Sequence, residues 1–486
     1  MDRLARTLFL VSLVTLSVVF GSFGAIHGWF PHPQIRQSLG AWFEFRENWR
    51  NDLALEPTRH LVPALHPGGE AFVMHDAEAA MPGQVLVAGL APEGETLQGA
   101  TLFGADGAEI HHWNLDYDTL DPEGPGEFNV LVHGVEPLPD GSLVVAFDAG
   151  KALARIDACG ATTWVTRGAY HHVVESDENG TLWSWRDVSI VSVDAETGEE
   201  LTAFDFREDV VVAQDLHGKL AIRTLEEPGG FKWFDDPFHA NDVEPLDAAM
   251  ADAFPGFEAG DLLISLRELN LVGVIDPETR RFRWFEHGPW FKQHDPDFQP
   301  DGRITVYDNR MGLDASRIVA IDPTSGETEV LFEDGPDAPF YSWRRGKHQV
   351  LGNGNILVTE SERGRVFEVD ADGRLVWERR LPFDAERNAI VTSAEHLPAD
   401  PVVLDEERLI AKVGRVLDEV RERQARRAQP GPDVVPGQSY LLGEIVRDAA
   451  VGPQRCLHLD ADDAFVTDIG RRVAAAAGRP VVTDHP

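Results

Sequence analysis

The chain has 486 residues, 43% hydrophobic and 26% charged, the proportions of a globular protein with ample material for a large core. Asp and Glu number 82 against 43 Lys and Arg, a formal net charge of −39. Such a surface repels nucleic acid and anionic lipid, so no nucleic-acid partner is expected.

The first element is apolar. After MDRLAR, residues 8–26 contain no ionisable side chain, and this 19-residue run is close to the roughly 20 that cross a bilayer. Arg3 and Arg6 precede it, which favours a cytoplasmic N-terminus and export of the rest. Two readings stay open for residues 1–30: a retained membrane anchor with Trp29 and Phe30 at the outer interface, or a signal segment cut near GSFGA. Residues 31–70 carry no repeat phrase and read as a linker.

From residue 71 to 400 a repeat is visible. Pro82-Gly83, Asp140-Gly141, Asn179-Gly180, Asp301-Gly302 and Asn353-Gly354 each precede a strand-like run (QVLVAGL, SLVVAF, TLWSW, RITVYD, NILVTES), and GDLLISL from Gly260 is a sixth. Asx-Gly between extended apolar segments is a strong hairpin signal. A second phrase follows most of them, an Asp-containing turn between β runs, as in ARIDACGATTW, VSVDAETGEEL and FEVDADGRLVW. About four strands per unit is the make-up of a propeller blade. The fold expected is all-β, a six-bladed β-propeller, with a seventh blade possible in the long gap between Gly180 and Gly260. Beyond it, residues 401–486 read as a helix (Leu409, Ile410, Val413, Val416, Leu417, Val420 on one face) and a small α/β extension without an assigned role. Cys159 and Cys456 stand far apart and match no metal-ligand spacing, so no metal and no cofactor are expected.

Histidine recurs before the turns. His75, His133, His172 and His294 each stand eight residues ahead of the turn glycine, His348 six ahead, and His239 opens the fourth unit in FHANDVEPL. Period two would keep His348 on the same strand face as the others. Either these rings only hydrogen-bond turn backbones, or they converge on a funnel where imidazole serves as nucleophile and acid/base. His75 and His133, with nothing chemical gathered near them, stay close to the first reading.

The phrases WFDDPFHANDVEPL, SLRELNLVGVIDPETRRFRW, QHDPDFQPDGRITVYDNR and HQVLGNGNILVTESERGRVFEVDADGRLVWE resemble the bacterial arylsulfotransferase family over roughly residues 70–380. The resemblance implies a six-bladed propeller in the cell envelope, anchored in the inner membrane or released after cleavage. It implies transfer of a sulfuryl group from an aryl sulfate to a phenolic acceptor through a sulfated histidine, without a nucleotide donor. His239 matches the family's His-x-Asn histidine and His294 its Gln-His histidine, while His348 falls in the blade expected to supply the nucleophile. His172, Asn241, Asn309, Arg310, Arg317 and Arg267 are the implied substrate-binding residues, with Arg310 and Arg317 competing for the arginine that follows the Asp-Asn pair. Two other readings remain: a non-catalytic envelope scaffold or ligand-binding propeller, and a quinone-dependent dehydrogenase suggested by VDAETGEEL and VIDPETRRFRW. The latter calls for eight regular Trp-bearing blades, and only Trp164, Trp284 and Trp377 stand at such positions.

Overall fold

The computed structural model describes residues 3–397 except positions 30, 93 and 228, so the helix and small extension expected over 401–486, and Cys456, lie outside the described residues. The chain divides into two compact units, one through Arg59 and one from His60. In the first, helix α1 (Arg3–Ile26) is long and apolar enough to cross a membrane, with a mean hydropathy of 2.2. Helix α2 (His32–Asp52) falls within the segment expected as a linker. Ile35, Leu39, Trp42 and Trp49 stand at helical spacing within it, and its aromatic and arginine side chains pair locally, Arg46 over Trp42 and Arg50 over Trp49.

The second unit is a six-bladed propeller. Blades 2 to 5 are four-stranded antiparallel sheets in chain order, with inner strands Leu131–Pro137, Tyr170–Ser176, Ala240–Pro245 and His294–Phe298. Blade 6 starts at Lys347–Val350. Blade 1 takes its inner strand from the far end of the chain, Val391–Leu397, paired with Gln84–Leu90. Each inner strand neighbours the next, and that of blade 6 neighbours that of blade 1, so the ring closes and hides its edges. The eight blades of a quinone-dependent dehydrogenase are not built.

Two local expectations are corrected. The long gap holds no seventh blade: it contains the helical turn Phe206–Val212 and a hairpin of Thr224–Glu227 with Gly230–Trp233, and then the inner strand of blade 4. His75 is not on an inner strand. It follows Phe72–Met74, the fifth and outermost strand of blade 6, because ring closure replaces the missing first strand of blade 1 with the C-terminal one. Its Nε2 lies 3.7 Å from Glu378 there.

The repeat phrases have physical causes. At the hairpins, Gly141, Gly180, Gly302 and Gly354 sit at φ between 79° and 88°, a left-handed geometry that favours glycine. In the second phrase the aspartate side chain caps its own turn: Asp194 Oδ1 accepts from Glu196 N (3.1 Å) and Thr197 N (2.8 Å), and Asp276 does the same for Glu278 and Thr279. Alternation along each strand sends one face to each neighbouring blade. Leu143, Val145 and Phe147 pack toward blade 1, while Val144 and Ala146 pack toward blade 3. The core is thus six apolar seams between blades, and the axis is left to polar side chains.

Candidate active site

Five of the six inner strands carry an irregularity in register near their start. It falls at His133 in blade 2, His172 and Val173 in blade 3, Asn241 in blade 4, Asp295 in blade 5 and Thr392 in blade 1. Bulges re-aim side chains and cluster near active sites. Here they come with left-handed backbone at non-glycine residues: His172 at φ 65°, His239 at 44° and Asp295 at 50°.

The result is a histidine cluster at one mouth of the ring. The rings of His133 and His172 have centroids 4.8 Å apart, and those of His172 and His239 are 5.2 Å apart. His133 Nδ1 is 2.8 Å from Asp148 Oδ2, and His239 Nδ1 is 2.5 Å from Asp236 Oδ2. Burial and then Asp148's opposing charge act on His133, whose affinity for a proton falls below the ordinary value; that of His172 falls well below it, for burial and for neighbouring imidazoles. Burial alone would raise Asp148, but His133 and His172 outweigh it and hold the carboxyl well below the usual range. His133, Asp148 and His172 bring potential ligand atoms within 4.8 Å of one another, yet Asp148 already spends one oxygen on the His133 ring and the other on His172 N (3.2 Å).

His294 is held differently. Its Nδ1 lies 2.7 Å from Asn309 Oδ1, and the Asn309 amide donates to Ser342 O (2.7 Å) and Arg345 O (2.9 Å). Two carbonyl acceptors fix which end of the amide is nitrogen, so Oδ1 faces the ring and Nδ1 carries the proton. Nε2 of the neutral ring then presents its lone pair, and it hydrogen-bonds to no described residue. Burial first, then Arg267 and the other imidazoles, push His294 well below its ordinary value despite Asn309. Asn241 braces the same corner, donating to Gln293 O at 2.9 Å.

Three guanidinium groups surround these rings. Arg267 is buried beside Glu268 (2.8 Å), and its Nε has no partner. Arg345 binds Glu362 at 3.2 Å, and Arg344 lies 4.8 Å over the Trp343 ring. Burial and mutual repulsion weaken the proton affinity of both Arg267 and Arg344. On a chain of net charge −39, this mouth gathers three guanidinium groups, Arg267 beside Glu268 and Arg345 beside Glu362.

His172, His239, His294, Asn241, Asn309 and Arg267 are therefore brought together. Arg317 is engaged by Asp308 (2.8 Å) and Pro289 O (2.9 Å), and Arg310, at φ 49°, makes a backbone bond to Phe291. His348 is set apart. In the other blades a bulged residue stands between the positions eight and six before the turn, or at the first of them, so the period-two argument fails. His348 pairs regularly with Val358, its side chain is wholly enclosed, and it faces Asp295 and Asp297. Sequence reasoning gave too little to His133 and missed Asp148, Asp236, Arg344 and Arg345. The adjacent pair in WRRGKH was the available signal.

Deeper along the axis the chemistry inverts. Glu136, Glu175, Asp242, Glu244, Asp297 and Glu395 are all pushed above their ordinary values, by burial first and, for each of them, by neighbouring carboxylates. Lys347 reaches Asp295 at 3.0 Å and Glu175 at 3.5 Å.

The second unit is thus a six-bladed propeller with histidines and arginines gathered at one mouth. The sequence matches the arylsulfotransferase (ASST) family over residues 101–382, more than half of the chain, and the chain belongs to that family. No curated protein matches the sequence significantly. Among solved structures, similar ones include a protein of unknown function from Bacteroides caccae (14% identity, 65% of this chain and 98% of that one, TM-score 0.43). Virginiamycin B lyase from Staphylococcus aureus is similar at 13% identity over 52% of this chain and 70% of that one, TM-score 0.32. A chain of the nidogen/laminin complex is similar at 10% identity over 64% and 97%, TM-score 0.39. Family membership supports a sulfotransferase activity on aryl substrates.

Proposed function

We propose that this chain moves a sulfuryl group from an aryl sulfate to a phenolic acceptor, with His294 rather than His348 as the nucleophile. The observation that carries the assignment is the Asn309 lock, which leaves a neutral imidazole with its Nε2 lone pair unspent next to the arginines. In the first half-reaction Nε2 attacks sulfur, the N–S bond forms and the S–O(aryl) bond breaks. The leaving phenolate takes a proton from His239, whose Nδ1 lies 2.5 Å from Asp236 Oδ2. In the second half, His239 removes the proton of the acceptor phenol, its oxygen attacks sulfur, and the N–S bond breaks. Arg267, Arg344 and Arg345 are the groups available for the sulfuryl oxygens as charge shifts onto them. His348, enclosed and unexposed, has no comparable access to substrate. The apolar α1 supports a location in the cell envelope, with the propeller outside the cytoplasm.

The test is mass spectrometry of the protein incubated with 4-nitrophenyl sulfate and no acceptor. A peptide containing QHDPDFQPDGR should gain about 80 Da, acid-labile and discharged by phenol, as a covalent two-step mechanism requires. An adduct on the His348 peptide would reverse the assignment. No adduct and no donor consumption over a panel of aryl sulfates would favour a non-catalytic binding propeller.

A further inference from the structure

The segment ahead of the propeller takes no part in the proposed chemistry. Helix α2 follows α1 after five residues, and the connection is tight. Trp29 N donates to Gly24 O at 2.9 Å, and His32 N donates to Trp29 O at 2.8 Å. The Trp29 ring turns back on the end of α1, its centroid 5.4 Å from that of Phe23 and 6.2 Å from that of Phe20. The His32 ring lies over Gly24, where an added Cβ would stand 3.0 Å from it. The start of α2 is therefore fixed at the end of α1. The apolar run of residues 8–26 is about 28 Å long at 1.5 Å per residue, close to the hydrocarbon thickness of a bilayer. With α1 across a bilayer, α2 begins at the bilayer surface.

Helix α2 has the face for that position. At about 3.6 residues per turn, Ile35, Leu39, Trp42, Phe45 and Trp49 share one side and Phe43 flanks it, whereas Gln37, Asn48 and Asn51 fall opposite. All six apolar side chains are exposed, by 40–53%. Arg46 stands in the same side, 5.9 Å over the Trp42 ring, and Arg36 borders it. Arg50 lies 5.5 Å over the Trp49 ring and meets Glu56 at 2.8 Å. Indole rings sit at the level of lipid headgroups, and arginines beside them reach lipid phosphates while their stems stay on apolar surface. The charge agrees with such a partner. Residues 1–59 hold six basic and five acidic side chains, against 37 and 77 in the rest of the chain. An anionic surface repels the rest and admits this segment.

We infer that α2 lies in the headgroup layer of the leaflet at the C-terminal end of α1. Ile35, Leu39, Trp42 and Trp49 enter the acyl boundary, and Arg36 and Arg46 meet the phosphates of anionic lipids. The inference rests on α1 as a membrane span and is independent of the sulfuryl chemistry.

The experiment uses the full chain in nanodiscs of equimolar phosphatidylcholine and phosphatidylglycerol. A spin label is placed at Leu39→Cys, Gln37→Cys or Val14→Cys, and the signal of the labelled parent chain, with its native Cys159 and Cys456, is subtracted. Power saturation compares access by oxygen, which concentrates in lipid, with access by a water-soluble nickel chelate. The label at 39 should favour oxygen over nickel several-fold, and the label at 37 should do the reverse. The label at 14, inside α1, should favour oxygen most strongly. Discs of phosphatidylcholine alone, or Arg36→Gln with Arg46→Gln, should raise nickel access at 39 about twofold. The inference is overturned if the label at 39 is as open to nickel as the label at 37, which places α2 in water. It is also overturned if neither reagent reaches 39, which would mean that protein, such as a second copy of α2, covers the face. In either case a label at 14 in lipid leaves α1 standing as a span, whereas a label at 14 open to nickel removes the span and the inference together. No response to the lipid change or to the arginine substitutions would overturn the assignment of Arg36 and Arg46 to anionic phosphates.

Discussion

The mouth and the interior of the propeller are built by the same six inner strands, yet they carry opposite chemistry. His133 and Glu136, His172 and Glu175, Asn241 and Glu244, His294 and Asp297, and Thr392 and Glu395 each stand three positions apart. The first of each pair lies at or beside a bulge, and in blades 2 to 5 it belongs to the mouth, while the second lines the axis. Blade 6, the one inner strand without a recorded bulge, breaks the pattern and has Gln349 five residues before its turn glycine where blades 2, 3 and 5 have an acid. A bulge of one or two residues thus separates the histidine mouth from the carboxyl-lined channel. In blades 2, 3 and 5 the imidazoles gather at or beside a bulge, and a carboxylate follows where the regular pleat resumes.

The separation is broken most severely at His294. His294→Ala removes the proposed nucleophile while leaving the arginine pocket intact, and turnover of 4-nitrophenyl sulfate should fall by about 10⁴-fold or more. Asn309→Leu should keep the ring but release its tautomer, with a smaller loss and a weaker adduct signal. Next in size are the guanidinium groups. Arg267→Ala and Arg345→Ala each remove a positive charge placed for the sulfuryl oxygens, and each should lower kcat by roughly 10²–10³-fold, the usual effect of deleting one such donor. Equal turnover in wild type and both variants would remove the cationic mouth from the mechanism.

How much of this was legible depended on which signal the residues carry. The blades were readable because Asx-Gly turns and self-capping aspartates such as Asp194 and Asp276 are local chemistry, written within five residues. The histidine positions were readable by counting from the turn. Their convergence was less so, because bulges do not show in the count, and His348 was placed with the others on a period that the bulges interrupt. Asp148 escaped notice since it meets its histidine through the fold, from the end of the second strand of blade 2, whereas Asp236 stands only three residues before His239 in WFDDPFHANDVEPL and was open to a sequence reading. Ring closure was also invisible, since nothing in Val391–Leu397 alone says that it completes blade 1.

A milder break concerns the proton carrier. Asp236→Asn keeps the size of the group at His239 but removes the carboxylate that its Nδ1 contacts, so kcat should fall roughly tenfold to a hundredfold. The loss should be larger for aryl sulfates with poor leaving groups, which need the proton more. A uniform loss across leaving groups would assign Asp236 to positioning alone.

The smallest effect sharpens the comparison from the acidic side, by pH. Burial, and then Glu175, push the Glu395 carboxyl up to about 8, against 4.5 for an unhindered glutamate. Between these values the native state keeps a proton that the unfolded chain releases, so stability falls as pH rises from 4.5 toward 8 and stays low above it. Glu395→Gln makes the group permanently neutral. It should raise the melting temperature by a few degrees at pH 8.5 and change it little at pH 5, measured by differential scanning calorimetry. The same substitution leaves the mouth untouched, so turnover at neutral pH should stay within a factor of about two of wild type. A gain of equal size at both pH values would mean that Glu395 is destabilising by its packing, and the channel would then owe its character to shape and not to crowded charge.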